Sequence, residues 1–223
     1  MKKIGLFGGT FNPIHYGHLR AAEEIGESFS LNKIIFIPAS DPPHKNRRET
    51  IPPAFRLKMV RLAIVGNPRF SLSDVEIKRA GKSYSVETIR SFVQHFGPRI
   101  PIYFILGGDA FREIHTWKNY LQLFHLCHFI IMTRPGFGKK FSHRHLPVEL
   151  AEDFCYDALR KGYVYRSGFC VFPKEITALD ISSTKIRENF LKGRSAKYLM
   201  PPAVEAFINQ HKLYQIEGDA SNG

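Results

Sequence analysis

The chain has 223 residues and a formal net charge of +12, from 32 Lys and Arg against 20 Asp and Glu; its sequence pI is about 9.7. At ~150 residues per domain this suits one α/β domain with extras, and 43% hydrophobic with 23% charged residues excludes a disordered chain. No apolar run reaches the ~18 residues of a membrane-spanning helix, and the apolar stretch at the N-terminus ends at Gly8, too early for a secretory signal, so the expected location is cytoplasmic.

Lys3–Phe7 reads as a short apolar strand. After Gly17-His18, Leu19, Ala22, Ile25 and Phe29 recur at spacings of three and four, which predicts a helix. Lys33–Ile37 is a continuous buried-strand pattern stopped by Pro38. A loop punctuated by prolines follows from Ala39 to Pro53, and the next helix carries Phe55, Met59, Leu62 and Ala63 until Gly66-Asn67-Pro68 ends it. Ser71–Ile77 alternates weakly and is expected to be a strand. Ser85 is a plausible N-cap for a helix through His95, with Glu87 favourably placed in its first turn.

Ile100–Leu106 is a further strand and Gly107-Gly108-Asp109 the turn after it. His128–Thr133 is another strand, ending at Arg134-Pro135-Gly136. Residues 137–170 are basic, aromatic and ambiguous, with a helix expected near Glu149–Arg160. Ser182 or Ser183 caps a helix through Leu191, and Pro201-Pro202 opens another through His211. Residues 217–223 read as a flexible tail behind a single domain of residues 1–216.

Strands alternating with helices predict a doubly wound parallel sheet with helices on both faces and a small C-terminal helical portion. Ligands of such sheets bind at the carboxyl ends of the strands, where strand order reverses. The loops after Phe7, Ile37, Leu106 and Met132 should therefore meet around one site. The first of them is Gly8-Gly9-Thr10-Phe11-Asn12-Pro13-Ile14-His15-Tyr16-Gly17-His18. Its glycines permit close approach to a phosphate, and the helix N-terminus behind it attracts negative charge. The loop fits neither the phosphate-loop pattern nor the dinucleotide fingerprint. Two histidines three apart share one helix face; a zinc pair would need further ligands that are not nearby.

This segment resembles the H-x-G-H signature of the nucleotidyltransferase superfamily, and the fuller match is similar to bacterial nicotinate-nucleotide adenylyltransferases. Further matches are Pro42-Pro43-His44-Lys45, Ser83-Tyr84-Ser85, Thr116-Trp117 and Ile181-Ser182-Ser183-Thr184-Lys185-Ile186-Arg187. The resemblance runs from Lys3 to about Tyr214. It implies a Rossmann-like fold and an enzyme that joins ATP and nicotinate mononucleotide, with Mg²⁺, into nicotinate adenine dinucleotide and pyrophosphate. Such a reaction needs positioning and charge neutralisation rather than a covalent intermediate, because the attacking phosphate oxygen is already ionised.

On this reading His15, His18 and Lys45 are catalytic. ATP would be held by Gly8, Gly9, Thr10, Phe11, His18, Gly107, Asp109, Arg134, Ile181, Ser182, Ser183 and Arg187. The mononucleotide would be held by Asn12, His44, Lys45, Tyr84, Ser85, Trp117 and Lys118, and no residue is assigned to a protein-bound metal. Each has a plainer alternative. Lys45 could be a solvated loop charge, Ser182 an ordinary helix cap, Asp109 an N-cap as well as a ribose ligand, and Trp117 a core residue rather than a stacking ring.

Charge alone favours anionic partners. The basic residues are dispersed, with clusters only at Lys45-Asn46-Arg47-Arg48 and Lys139-Lys140, so nucleic acid is not expected as a partner, nor is a membrane. A basic nucleic-acid-binding protein is the alternative of a different class. A phosphopantetheine adenylyltransferase-like enzyme is the alternative of the same chemistry, disfavoured by the Pro-Pro-His-Lys and Thr-Trp matches. A homo-oligomer is compatible with all three. Cys127, Cys155 and Cys170 lack disulfide or zinc spacing and read as buried thiols.

Overall fold

The computed structural model describes residues 2–41, 50–79, 81–133 and 141–215. Its centre is an eight-stranded sheet in the order β3-β2-β1-β4-β5-β8-β7-β6. The strands are β1 (Ile4–Gly9), β2 (Lys33–Pro38), β3 (Phe70–Leu72), β4 (Ile102–Gly107), β5 (His128–Thr133), β6 (Phe154–Asp157), β7 (Gly162–Tyr165) and β8 (Cys170–Glu175). The helices are α1 (Tyr16–Ser28), α2 (Pro53–Ala63), α3 (Val75–Lys78), α4 (Ser85–Phe96), α5 (Gly108–Arg112), α6 (Tyr120–Leu123), α7 (Ser183–Leu191) and α8 (Pro202–Gln210).

Alternating strand residues feed two apolar layers. Leu6, Ile35, Phe104 and Phe129 pack with Val86, Ile89 and Phe92 of α4 on one face. Phe7, Phe36, Ile105 and Ile130 pack with Ala22 and Ile25 of α1, Met59 and Val60 of α2, and Ile186 and Val204 of the last two helices on the other. Both faces are covered, which explains why the central strands are apolar without interruption. β1, β2, β3, β4, β5 and β8 run parallel.

Several sequence expectations need correction. The sheet is not wholly parallel, because β6, β7 and β8 form an antiparallel meander at its far edge. The helix expected at Glu149–Arg160 is instead a 3₁₀ segment, Val148–Asp153, followed by β6. Asp157 Oδ1 accepts the N–H groups of Leu159 and Arg160 at 2.9 and 3.0 Å, and this local bonding turns the chain into a hairpin rather than a helix. The strand expected at Ser71–Ile77 stops at Leu72. Ser73 Oγ then accepts the Val75 N–H and residues 75–78 make a helical turn. Tyr84, not Ser85, occupies the N-cap of α4, whose Glu87 and Thr88 N–H groups bond the Tyr84 carbonyl. α1 begins at Tyr16, earlier than the periodicity suggests. Cys155 is exposed, while Cys127 and Cys170 are buried as expected.

Among the described residues no helix is long and apolar enough to cross a membrane.

Candidate active site

Chain order runs outward from β1 through β2 to β3 on one side and from β4 to β5 on the other. The reversal lies between the carboxyl ends of β1 and β4, where a doubly wound sheet opens a crevice. β1 delivers Gly8 and Gly9 to that crevice and β4 delivers Gly107. A Cβ on Gly9 would lie 2.9 Å from Phe11 Cζ, so only glycine lets the loop fold back over its own strand. Phe11 adopts a φ of 49°, a conformation bulky residues seldom take. Packing holds it there: its ring meets Phe7, Phe36 and His18 at centroid distances of 5.8, 5.8 and 5.2 Å.

The two histidines are brought together. His15 caps α1 and His18 sits three residues on, with ring centroids 3.8 Å apart. The His15 backbone N–H donates to His18 Nδ1 at 3.3 Å. An Nδ1 that accepts a peptide N–H carries no proton, which places the proton of the neutral ring on Nε2. His18 is half-buried and His15 only 4% exposed, so His18 is the better placed to meet a ligand. Gly17 between them is constrained too: a Cβ there would lie 3.0 Å from the His15 ring and 3.7 Å from the Ile181 carbonyl.

α7 closes on the same loop from the opposite end of the sequence. Ser182 caps the helix, accepting the Lys185 N–H. Ser183 Oγ donates to the Pro13 carbonyl at 2.8 Å, and Arg187 Nη1 to the Asn12 carbonyl at 3.0 Å. Tyr214 Oη donates to Asn12 Oδ1 at 2.8 Å, and burial raises its phenol pKa against the opposing pull of the Arg187 and Arg56 charges. Asn12, Pro13, Ser183 and Arg187 are thus one hydrogen-bonded structure rather than two separate motifs. Part of the expected hydroxyl and guanidinium capacity holds the loop itself. Lys185 pairs with Asp180 at 2.9 Å, both largely exposed.

A second group assembles on the other side of Gly8. A Cβ on Gly8 would meet the Phe104 ring at 3.5 Å, and that ring lies edge-on to Trp117 at 6.3 Å. Trp117 is half-buried against the core, which leaves part of its ring exposed. Lys118 Nζ lies 4.2 Å over the Tyr84 ring, an attractive cation–π geometry, and 2.9 Å from Glu87 Oε1. The other oxygen of Glu87 lies 3.6 Å from Arg79 Nε. The hydrogen bond from Lys118 is the main reason its carboxyl titrates below the ordinary range. Arg79 in turn donates to Thr88 Oγ1, which donates to the buried Glu76. Ser85 lies in the first turn of the helix behind Tyr84. Asp109 is not an N-cap, since Gly107 holds that position; its carboxylate pairs with Arg112 at 3.0 Å and is 92% exposed.

His44, Lys45 and Arg134 lie outside the described residues. Ser83 ties the approach to the first two, with its Oγ accepting the Ser40 N–H and its N–H donating to the Asp41 carbonyl. Sequence reasoning missed Arg56, which is fully buried. Its Nε donates to the Ile51 carbonyl at 3.1 Å, Nη1 to Thr10 at 2.9 Å and Nη2 to Ser40 at 2.9 Å. Burial lowers its pKa to about 10, leaving it charged at neutral pH. Its position three before Met59, on the apolar face of α2, was the available signal. Among the described residues no three or more His, Cys, Asp or Glu side chains converge as a metal site.

Residues 6–189 match the family model described as cytidylyltransferase-like. A protein of Geotalea uraniireducens (strain Rf4), described as "probable nicotinate-nucleotide adenylyltransferase", is 44% identical over 212 residues, 95% of this chain and 98% of that one. A protein of Syntrophotalea carbinolica with the same description is 47% identical over 213 residues, 96% and 97% of the two chains. Among solved structures, Plasmodium falciparum nicotinic acid mononucleotide adenylyltransferase complexed with NaAD superposes with a TM-score of 0.73 at 21% identity, over 96% of this chain and 98% of its own.

Proposed function

The chain belongs to the cytidylyltransferase-like family, and we infer that it transfers the adenylyl group of ATP to nicotinate mononucleotide. The products are nicotinate adenine dinucleotide and pyrophosphate, a step of NAD biosynthesis. The observation that carries this is full-length identity of 44–47% to relatives described by that activity. The Plasmodium neighbour, which shares the fold, is described as complexed with NaAD.

A phosphate oxygen of the mononucleotide attacks the α-phosphorus of ATP, and the bond from that phosphorus to the bridging oxygen breaks as pyrophosphate leaves. No proton must be removed from the nucleophile, so a general base is unnecessary, and stabilisation of charge on the leaving group dominates. His18 donates Nε2–H to that developing charge, with His15 ordering its ring from beneath. The first turn of α7 and Arg187 hold the outer phosphates, since a helix start and a guanidinium both favour anions. Gly107 lets the nucleotide approach β4, and Asp109 accepts from ribose hydroxyls. ATP enters as its Mg²⁺ complex, the ion carried by phosphate oxygens and water. The family resemblance assigns His44 and Lys45 to the mononucleotide phosphate and Arg134 to the adenine. Trp117 stacks on the pyridine, flanked by Tyr84, Ser85 and Lys118.

A subsite lined by N–H and O–H donors prefers a carboxylate to an amide, whose nitrogen brings donors of its own. Such unpaired polar groups discriminate by about 10⁴ or more in favourable sites. Because the Lys118 charge is already shared with Glu87, at least ~10²-fold preference for nicotinate over nicotinamide mononucleotide is expected in kcat/KM. Pyrophosphate release measured with each mononucleotide at saturating ATP is the test. Absence of turnover with nicotinate mononucleotide would refute the function, and equal efficiency would refute the donor-lined subsite.

A further inference from the structure

We propose that Arg56 is a positioning residue shared by the two substrates, one buried guanidinium that sets the ATP loop and the mononucleotide loop together. This rests on the adenylyl-transfer reading above. The geometry is a three-way clamp. Nη1 holds the carbonyl of Thr10, in the loop after β1, while Nη2 holds that of Ser40, in the loop after β2. Nε holds Ile51, immediately before α2. Thus the two ends of the segment carrying His44 and Lys45, at Ser40 and Ile51, are tied to the same group as the Gly-Gly-Thr-Phe loop.

The clamp also fixes which way each peptide faces. In a trans peptide the carbonyl and the N–H point in opposite directions, and among the described residues the only cis bond is Asn12–Pro13. Drawing the Thr10 carbonyl inward to Arg56 therefore turns the Phe11 N–H away from it, and holding the Ser40 carbonyl does the same for the Asp41 N–H. Orienting peptide dipoles before the substrate arrives is how a site stabilises anions without reorganisation. Among the described residues Arg56 forms no ion pair, so its charge is not cancelled by direct contact with a carboxylate. A planar fork is what this task requires: a lysine ammonium carries the charge but cannot span three carbonyls in fixed directions.

The test compares Arg56→Lys with the wild-type enzyme in initial-rate kinetics and thermal melting. Loss of one charge-assisted bond to each loop should raise KM for ATP and KM for nicotinate mononucleotide by about tenfold or more each, with a smaller change in kcat. A merely structural arginine would lower the melting temperature and the active fraction while leaving both KM values in place. A rise in one constant alone, or in neither, overturns the proposal. A second measurement needs no variant: the ¹⁵N-edited resonance of the Arg56 Nε–H in the wild-type protein should shift on adding MgATP alone and on adding the mononucleotide alone. A resonance unmoved by either ligand overturns the shared role. Wild-type turnover separates the two ideas. If it is absent the adenylyl-transfer reading fails, whereas normal wild-type turnover with unchanged variant constants defeats only the role of Arg56.

Discussion

Replacing His18 with alanine separates catalysis from folding. On the proposed mechanism the ring has two jobs. Its Nδ1 accepts the His15 N–H at 3.3 Å, a long bond at a helix N-terminus, where capping contributes about 0.5–2 kcal/mol. The half-buried ring also packs against His15 and, edge-on, against Phe11. Taking about 1 kcal/mol for the long cap bond, the melting temperature should fall by about 2–4 °C for a chain of this size. The other job belongs to Nε2–H. Removing one donor to a developing anion costs about 10²–10³ in kcat, or about 2.7–4 kcal/mol. The catalytic loss is therefore a few times the stability loss and remains at 25 °C, where the variant is fully folded. The assay is pyrophosphate release at saturating ATP and nicotinate mononucleotide, with thermal melts on the same samples. His18→Asn, whose amide oxygen can take the same N–H, should recover most of the stability and only part of the turnover. An alanine variant retaining more than half of wild-type kcat would remove His18 from the mechanism.

Arg187→Ala should raise KM for ATP more than KM for the mononucleotide, by roughly tenfold or more for a lost charge-assisted bond; initial rates with each substrate varied decide it, and a change in the mononucleotide constant alone means the anion sites were assigned the wrong way round. Tyr214→Phe deletes the donor to Asn12 Oδ1 in a residue only 5% exposed, so urea denaturation should show a loss of about 1 kcal/mol, and an unchanged midpoint would mean the C-terminal segment does not brace this loop. The Glu87 carboxyl titrates below its ordinary 4.5 in the folded chain, chiefly through Lys118. Its contribution is therefore present above pH 4.5 and lost as pH falls through the lower folded value. With side chains 34% and 46% exposed, solvent screening limits it to less than about 1 kcal/mol. Glu87→Gln should reduce the difference in unfolding free energy between pH 7 and pH 3 by that small amount, and an enlarged difference would contradict the sign.

Much of this site was legible in the amino-acid order because its chemistry is local. The glycines after the first strand, the two histidines at a helix start and the Ser-Ser before Thr184 each occupy a few consecutive residues, and a helix or strand period places them on the correct end of the sheet. The apolar runs at Ile34–Ile37 and Ile102–Leu106 declared their burial for the same reason. By contrast, residues 149–160 misled, because they lead into a short antiparallel meander that earns its stability from pairing across strands, which no local period records. Arg56 escaped notice although it lies on the buried face of α2, since what makes it tolerable inside the protein is three carbonyls, two of them 16 and 46 residues away. The contacts of Arg187 and Tyr214 with Asn12 span 175 and 202 residues. Sequence alone determined which groups could meet phosphate, because that depends on side-chain chemistry and the nearest turn of backbone. Only the tertiary structure decided which of those groups hold the loop, because a hydrogen-bond donor's partner is set by distance in space.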